Sequence, residues 1–224
     1  MPRPGLSGGA GGPDGPGRDS EPDLSGKLLV AAPVMADPNF ARTVVLVLHH
    51  DSGGSLGLVL NRPSQLDLGE PLRQWVGLAA APAVVFVGGP VASAAAICLG
   101  RLRAPAPPAP TSGTIPEPSP LEQLAFDRPQ GWRPVLADIG TLDLNGDPSA
   151  AAASVSTVRV FAGYAGWGPG QLTSELGLGG WMVADPSEED AFSTDPGGLW
   201  KSVLRRQSPE VAILAGYPED PSAN

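Results

Sequence analysis

The chain has 224 residues, 42% of them apolar but only 5% aromatic, with a net charge of −9. Its 14 Lys and Arg are scattered, with only Arg205 and Arg206 adjacent; this counts against the basic stripe of a direct nucleic-acid binder. One cysteine excludes an internal disulfide, and no apolar run approaches the ~18 residues of a membrane-spanning helix.

In chain order, residues 1–23 are rich in Gly, Pro and Asp with little to bury, and they read as a disordered tail. Residues 24–224 form the expected single domain. Three apolar runs follow the tail: Leu28 to Ala32, Thr43 to His49 and Leu56 to Leu60. They predict three strands. The middle run is nearly continuous in Val and Leu, so both of its faces should be buried. Asp37-Pro38-Asn39 marks one break, and Asp51 to Ser55 reads as a five-residue hairpin loop. Ser64 is placed to cap a helix starting near Leu66 to Gly69, with Leu72, Trp75 and Val76 on one face. Val84 to Val87 and Ala94 to Leu102 predict strands.

A low-complexity insert, 104–120, reads as an extended mobile linker; its PxxP spacing at Pro105 and Pro108 is the competing reading. A helical turn is predicted over 121–126. A strand is predicted at Arg133 to Asp138, followed by Gly140-Thr141-Leu142-Asp143-Leu144, and another at Val158 to Ala162. Asp147 should cap an Ala-rich helix. Gly163 to Gly170 reads as a glycine-dense loop, and Pro169 as the first position of a helix to Leu176. Trp181 to Ala184 predicts a strand, and Asp185 to Asp190 a solvated acidic stretch. A helix is predicted over 196–206, and a last strand at Val211 to Ala215. Alternating strands and helices with an early hairpin predict a mixed sheet in an α+β fold.

Several stretches also fit a known pattern: Asp37-Pro38-x-Phe40-x-Arg42, Gly57-Leu58-Val59-Leu60-Asn61-Arg62-Pro63, Gly88-Gly89-Pro90-Val91, and Gly163-Tyr164-Ala165-Gly166-Trp167-Gly168-Pro169-Gly170-Gln171-Leu172. With Trp181 and Leu199-Trp200, they make the chain resemble the YqgE/AlgH family of bacterial proteins over roughly residues 26–216. The resemblance implies an α+β fold whose bent sheet closes into a pseudo-barrel flanked by helices. Members of that family are often labelled transcriptional regulators, a label that names no catalytic residue. The chain departs from the family pattern at Gly177 to Gly180 and at Ser93 to Ile97.

Gly53-Gly54-Ser55-Leu56-Gly57 matches G-x-S-x-G, but a strand follows where the nucleophile elbow needs a helix. His49-His50-Asp51 offers ligand types for a metal. Neighbours in a strand point to opposite faces, however, and nothing remote completes a zinc set. Cys98 sits in an apolar run and reads as a small buried hydrophobe. No catalytic set and no cofactor motif emerges: G-x-G-x-x-G is broken because Gln171 stands where the third glycine belongs.

The most suggestive site is the glycine loop ahead of a helix, where backbone N–H groups could face an anion. Arg42, Asn61, Arg62, Gly166, Gly168, Gly170 and Gln171 are the candidate ligand-binding residues. The competing reading has the glycines serving close packing, and the two arginines and Asn61 tying turns to backbone carbonyls. The lack of a catalytic set points to a cytoplasmic, non-enzymatic protein acting through a protein partner or ligand, and the resemblance implies that its role is that of a transcriptional regulator. The alternative is an enzyme or binding protein for a small anionic metabolite.

Overall fold

The computed structural model describes residues 23–70, 72–104, 129 and 131–218. The predicted tail up to residue 22, the insert from 105 and the helical turn at 121–126 lie outside the described residues. Among the described residues there are ten strands: β1 (Leu28–Ala31), β2 (Val44–Asp51), β3 (Gly54–Val59), β4 (Pro63–Asp67), β5 (Val84–Val87), β6 (Val91–Leu102), β7 (Arg133–Leu136), β8 (Ile139–Leu142), β9 (Val155–Trp167) and β10 (Trp181–Ala184). Four α-helical segments accompany them: α1 (Pro148–Ser154), α2 (Gln171–Gly177), α3 (Leu199–Arg205) and α4 (Pro209–Ala212).

The sheet runs β10-β1-β2-β3-β9-β6-β8-β7, with β4 and β5 branching from it. Its pairings are antiparallel except β5 beside β9, which is parallel, so the sheet is mixed in a single α+β domain. The pseudo-barrel is a correction: β10 and β7 end the order and do not pair, so the sheet is open.

Period-two alternation puts β1 and β2 between two cores. Leu28, Val30, Val44 and Leu46 face one, with Phe86, Phe161 and Trp200. Leu29, Ala31, Val45 and Val47 face the other, with Trp167, Leu172 and Trp181. Full burial of each such side chain contributes about 1.5–3 kcal/mol, so these two strands anchor the fold from both sides. A third cluster gathers Trp75, Cys98, Leu142, Val155, Val158 and Val160.

The long strand β9 joins the two halves of the sheet. Its far end pairs with β3 at Ser55–Gly57, and its first half pairs with β6. Between these two stretches lies Gly163, whose φ of 71° is one that only glycine adopts without strain. The Gly88-Gly89 segment crosses there at backbone contact. A Cβ on Gly89 would lie 2.2 Å from the Tyr164 carbonyl carbon, and one on Gly163 would lie 2.6 Å from Gly89 O. Two of the signature motifs therefore meet with no room for side chains.

Local departures from the sequence reading have local causes. The hairpin between β2 and β3 is tight, because Asp51 pairs with Gly54 and the Asp51 carboxylate accepts from Gly53 N–H at 2.7 Å. Residues 63–67 form β4 rather than a helix start, and Ser64 Oγ donates to Val85 O. The turn that follows, Leu72–Leu78, is 3-10 rather than α. Its threefold period turns Trp75 inward and leaves Val76 exposed. Gly163 to Trp167 continues β9 instead of looping. Asp190 is buried, not solvated, and pairs with Arg206. The predicted last strand is α4 followed by a 3-10 turn, Ile213–Gly216, because Ser208-Pro209 starts a helix.

Candidate functional site

The 37–42 turn is built by its own sequence. Asp37 Oδ1 accepts from Asn39 N–H, and Asp37 O accepts from Phe40 and Ala41 N–H. Asn61 and Arg62 then fasten it from the end of β3. Asn61 Nδ2 donates to Arg42 O at 2.9 Å, and its Oδ1 accepts from Val44 N–H at 3.0 Å. Arg62 Nη2 donates to Pro38 O and Ala41 O, each at 3.0 Å. Arg42 reaches the other way. Its Nη2 donates to Tyr217 O at 2.9 Å and to Pro218 O, with the guanidinium 4.6 Å from the Trp200 ring centroid. The structure thus brings Arg42, Asn61 and Arg62 together, each engaged with backbone atoms or a ring.

Phe40 of this turn packs between Trp167, at 6.1 Å, and Trp181, at 5.4 Å. Behind the rings lies a residue the sequence reading missed, Glu175. Its Oε2 accepts from Trp167 Nε1 at 3.0 Å and from Trp181 Nε1 at 2.8 Å. Its Oε1 accepts from Gln171 Nε2 at 2.9 Å. Gln171 Oε1 in turn accepts from Gly168 N–H at 3.1 Å. The available signal was the i, i+4 spacing of Gln171 and Glu175 on one short helix beside two indole donors. Gly168 N–H, which an anion would use, is therefore held by Gln171. Gly170 precedes α2 with φ 68° and makes no side-chain cap.

Beside this framework lies an open groove of about 520 Å³. His49, Asp51, Leu56, Val91, Tyr164 and Gly166 are among its lining residues. Of the seven candidate residues, Gly166 alone borders it. A Cβ there would meet Tyr164 Cε2 at 3.3 Å, so the missing side chain leaves room for the tyrosine ring. The two histidines part to opposite faces as the strand alternation requires. His49 Nε2 lies 3.0 Å from Asp51 Oδ2, and His50 Nδ1 lies 2.7 Å from Ser55 Oγ. The bond from His49, and then the Gly53 N–H, hold the Asp51 carboxyl below the usual range. Among the described residues, no group of three or more His, Cys, Asp or Glu is placed to hold a metal ion.

A separate buried centre is Arg159, only 2% exposed. It donates to Ala81 O at 2.7 Å, Ser193 O at 3.0 Å and Ala191 O at 3.2 Å, and lies 4.3 Å from the Phe86 ring centroid. Burial pushes its guanidinium down to about 10, which leaves it a cation at neutral pH.

These contacts define an α+β protein with an open, mixed sheet whose signature motifs interlock in pairs. A family model described as DUF179, AlgH-like, matches residues 28–212, and the chain belongs to that family. It is 48% identical over 201 residues to UPF0301 protein SCO2948 of Streptomyces coelicolor, covering 90% of this chain and 95% of the relative. A UPF0301 protein of Thermobifida fusca is 41% identical over 210 residues, covering 90% and 96%. Among solved structures, protein DIP2367 from Corynebacterium diphtheriae is similar with TM-score 0.72 and 26% identity, covering 88% and 94%. The AlgH protein from Pseudomonas aeruginosa is similar with TM-score 0.58 and 27% identity, covering 89% and 96%.

Proposed function

We propose that this chain is a non-enzymatic cytoplasmic binding protein whose regulatory effect is exerted through a protein partner. The observation that supports this reading most is the internal engagement of the motif polar groups. Arg42, Asn61, Arg62 and Gln171 all have hydrogen-bond partners within the chain. A ligand recruiting them would first have to break bonds that hold turns together. The groove at Leu56, Val91 and Tyr164 is the surface offered to a partner, since it is open and partly apolar. The test is site-specific cross-linking in cells from position 56. The expected result is one reproducible protein adduct, lost in a Val91→Glu variant that keeps its fold. Adducts that are unchanged by Val91→Glu would refute the reading.

A second reading keeps the small anionic ligand at the 163–171 loop, held by Arg42, Asn61, Arg62, Gly166, Gly168, Gly170 and Gln171. It is favoured by the groove abutting Gly166 and by the exposure of Gly168, Gly170 and Gln171. A thermal-shift screen against nucleotides, phosphorylated metabolites and carboxylates separates the two. A ligand at about 100 times its Kd stabilises by roughly 2.7 kcal/mol, a shift of several degrees. A shift that disappears in both Arg62→Ala and Gln171→Ala would establish the second reading; no shift supports the first.

A further inference from the structure

We infer that the free edge of β10 is a docking site for a second copy of this chain. The ladder register carries the argument. β1 and β10 pair Leu28 with Ala184, Leu29 with Val183, Val30 with Met182 and Ala31 with Trp181. Ala32 N–H donates to Gly180 O at 3.0 Å. In an antiparallel ladder, bonded and non-bonded pairs alternate, so Gly180, Met182 and Ala184 bond towards β1. Trp181 and Val183 therefore turn their N–H and C=O groups outward. β10 ends the strand order, and no backbone partner meets that side among the described residues.

The flanks of this edge are apolar. Leu178 is 84% exposed, Val34 74% and Val183 44%. The Ala32–Gly180 bond joins the segments that bear Val34 and Leu178. The strand 181–184 contains no Lys and no Pro, residues that commonly blunt such an edge.

The edge is complementary to itself. A two-fold axis through Met182 sets Trp181 of one copy opposite Val183 of the other, and the reverse. Both are outward-facing residues, so the two pairs form four backbone hydrogen bonds. The same register places Asp185 opposite Gly179, so no like charges oppose each other. Asp185 is moreover paired with Lys27 of its own chain. The sheet then continues across the axis, and Val34, Leu178 and Val183 are covered. The edge is only four residues long, so the dimer is weak and concentration-dependent.

Sedimentation of the full chain, from micromolar to near-millimolar concentration, tests this. The mass should rise from 22.8 kDa towards twice that value. Added salt should favour the rise, since each copy carries a net charge of −9. Val183→Pro removes an outward N–H and no bond to β1, and Leu178→Lys places a charge on the covered flank. Each should weaken dimerisation about tenfold or more with an unchanged circular dichroism spectrum. If Val183→Pro misfolds, the surface change Leu178→Lys decides alone. A chain that stays monomeric throughout, or a dimer as strong in Leu178→Lys as in the wild type, overturns the inference.

Discussion

Replacing Arg159 with methionine keeps much of the aliphatic stem and deletes the guanidinium. Three carbonyls then lose a charged donor: Ala81 O, Ala191 O and Ser193 O. They belong to two separate segments, the 81–82 turn and the stretch around 191–193, which this one side chain ties to β9; the first is also held by the Ala80 N–H bond to Val158 O. A hydrogen bond to a charged group contributes about 1.5–3 kcal/mol, but relief of the buried charge offsets part of the loss. The net cost should be about 3–5 kcal/mol. For a domain of this size, each kcal/mol moves Tm by roughly 2–4 °C, so the midpoint should fall by roughly 6–20 °C. Arg159→Lys keeps the charge but not the fork, and should fall in between. Urea denaturation followed by far-ultraviolet circular dichroism measures both. A loss below about 1 kcal/mol for Arg159→Met would mean that the carbonyls are satisfied without it, and would refute the reasoning.

Further outcomes are expected at Cys98, Glu175, Gly163 and Gly170. Burial pushes the Cys98 thiol from 9.0 up to about 12. A thiol reagent at about pH 8 should therefore leave native protein unmodified and label it only after unfolding. Because the folded thiol holds its proton more tightly, its contribution to stability is complete below pH 9 and is lost as pH rises from about 9 to about 12. Glu175→Gln leaves an amide where a carboxylate accepted from Trp167, Trp181 and Gln171. It should cost about 1–3 kcal/mol and alter tryptophan fluorescence; an unchanged spectrum and midpoint would contradict the assigned hydrogen bonds. Gly163→Ala forces a Cβ within 2.6 Å of Gly89 O and should prevent accumulation of folded protein. Gly170→Ala meets open space and bears only the cost of its positive φ, about 1 kcal/mol, in thermal melts.

The sequence by itself determined the elements whose signal is local. Leu28 to Ala32 read as a strand, and Thr43 to His49 as one buried on both faces, because continuous Val and Leu leave no polar face; Val44 to Val47 are buried so. Asp147 marked the start of α1 because its carboxylate accepts from Ser149 N–H two residues away. The apolar positions of α3, Leu199, Trp200, Val203 and Leu204, were legible from helical spacing, and all are buried. The burial of Cys98 followed from its apolar neighbours.

The tertiary structure alone decided what depends on residues distant in the chain. The glycines at 163 and 166 looked like a loop. They belong to a strand because Leu56 pairs with Gly166 and Val91 with Tyr164, while the Gly88-Gly89 segment lies against Gly163 and leaves no room for a side chain there. Val211 to Ala215 is apolar and short, a pattern that fits either a strand or a helix, and packing against α3 settled it. The openness of the sheet depends on whether its two end strands meet, which no local pattern encodes. The roles of Glu175 and Arg159 were equally hidden. Each is an ordinary charged residue until the fold brings two indoles to one and three carbonyls to the other. Local propensity records the neighbours along the chain, whereas a buried polar group is defined by the neighbours that folding supplies.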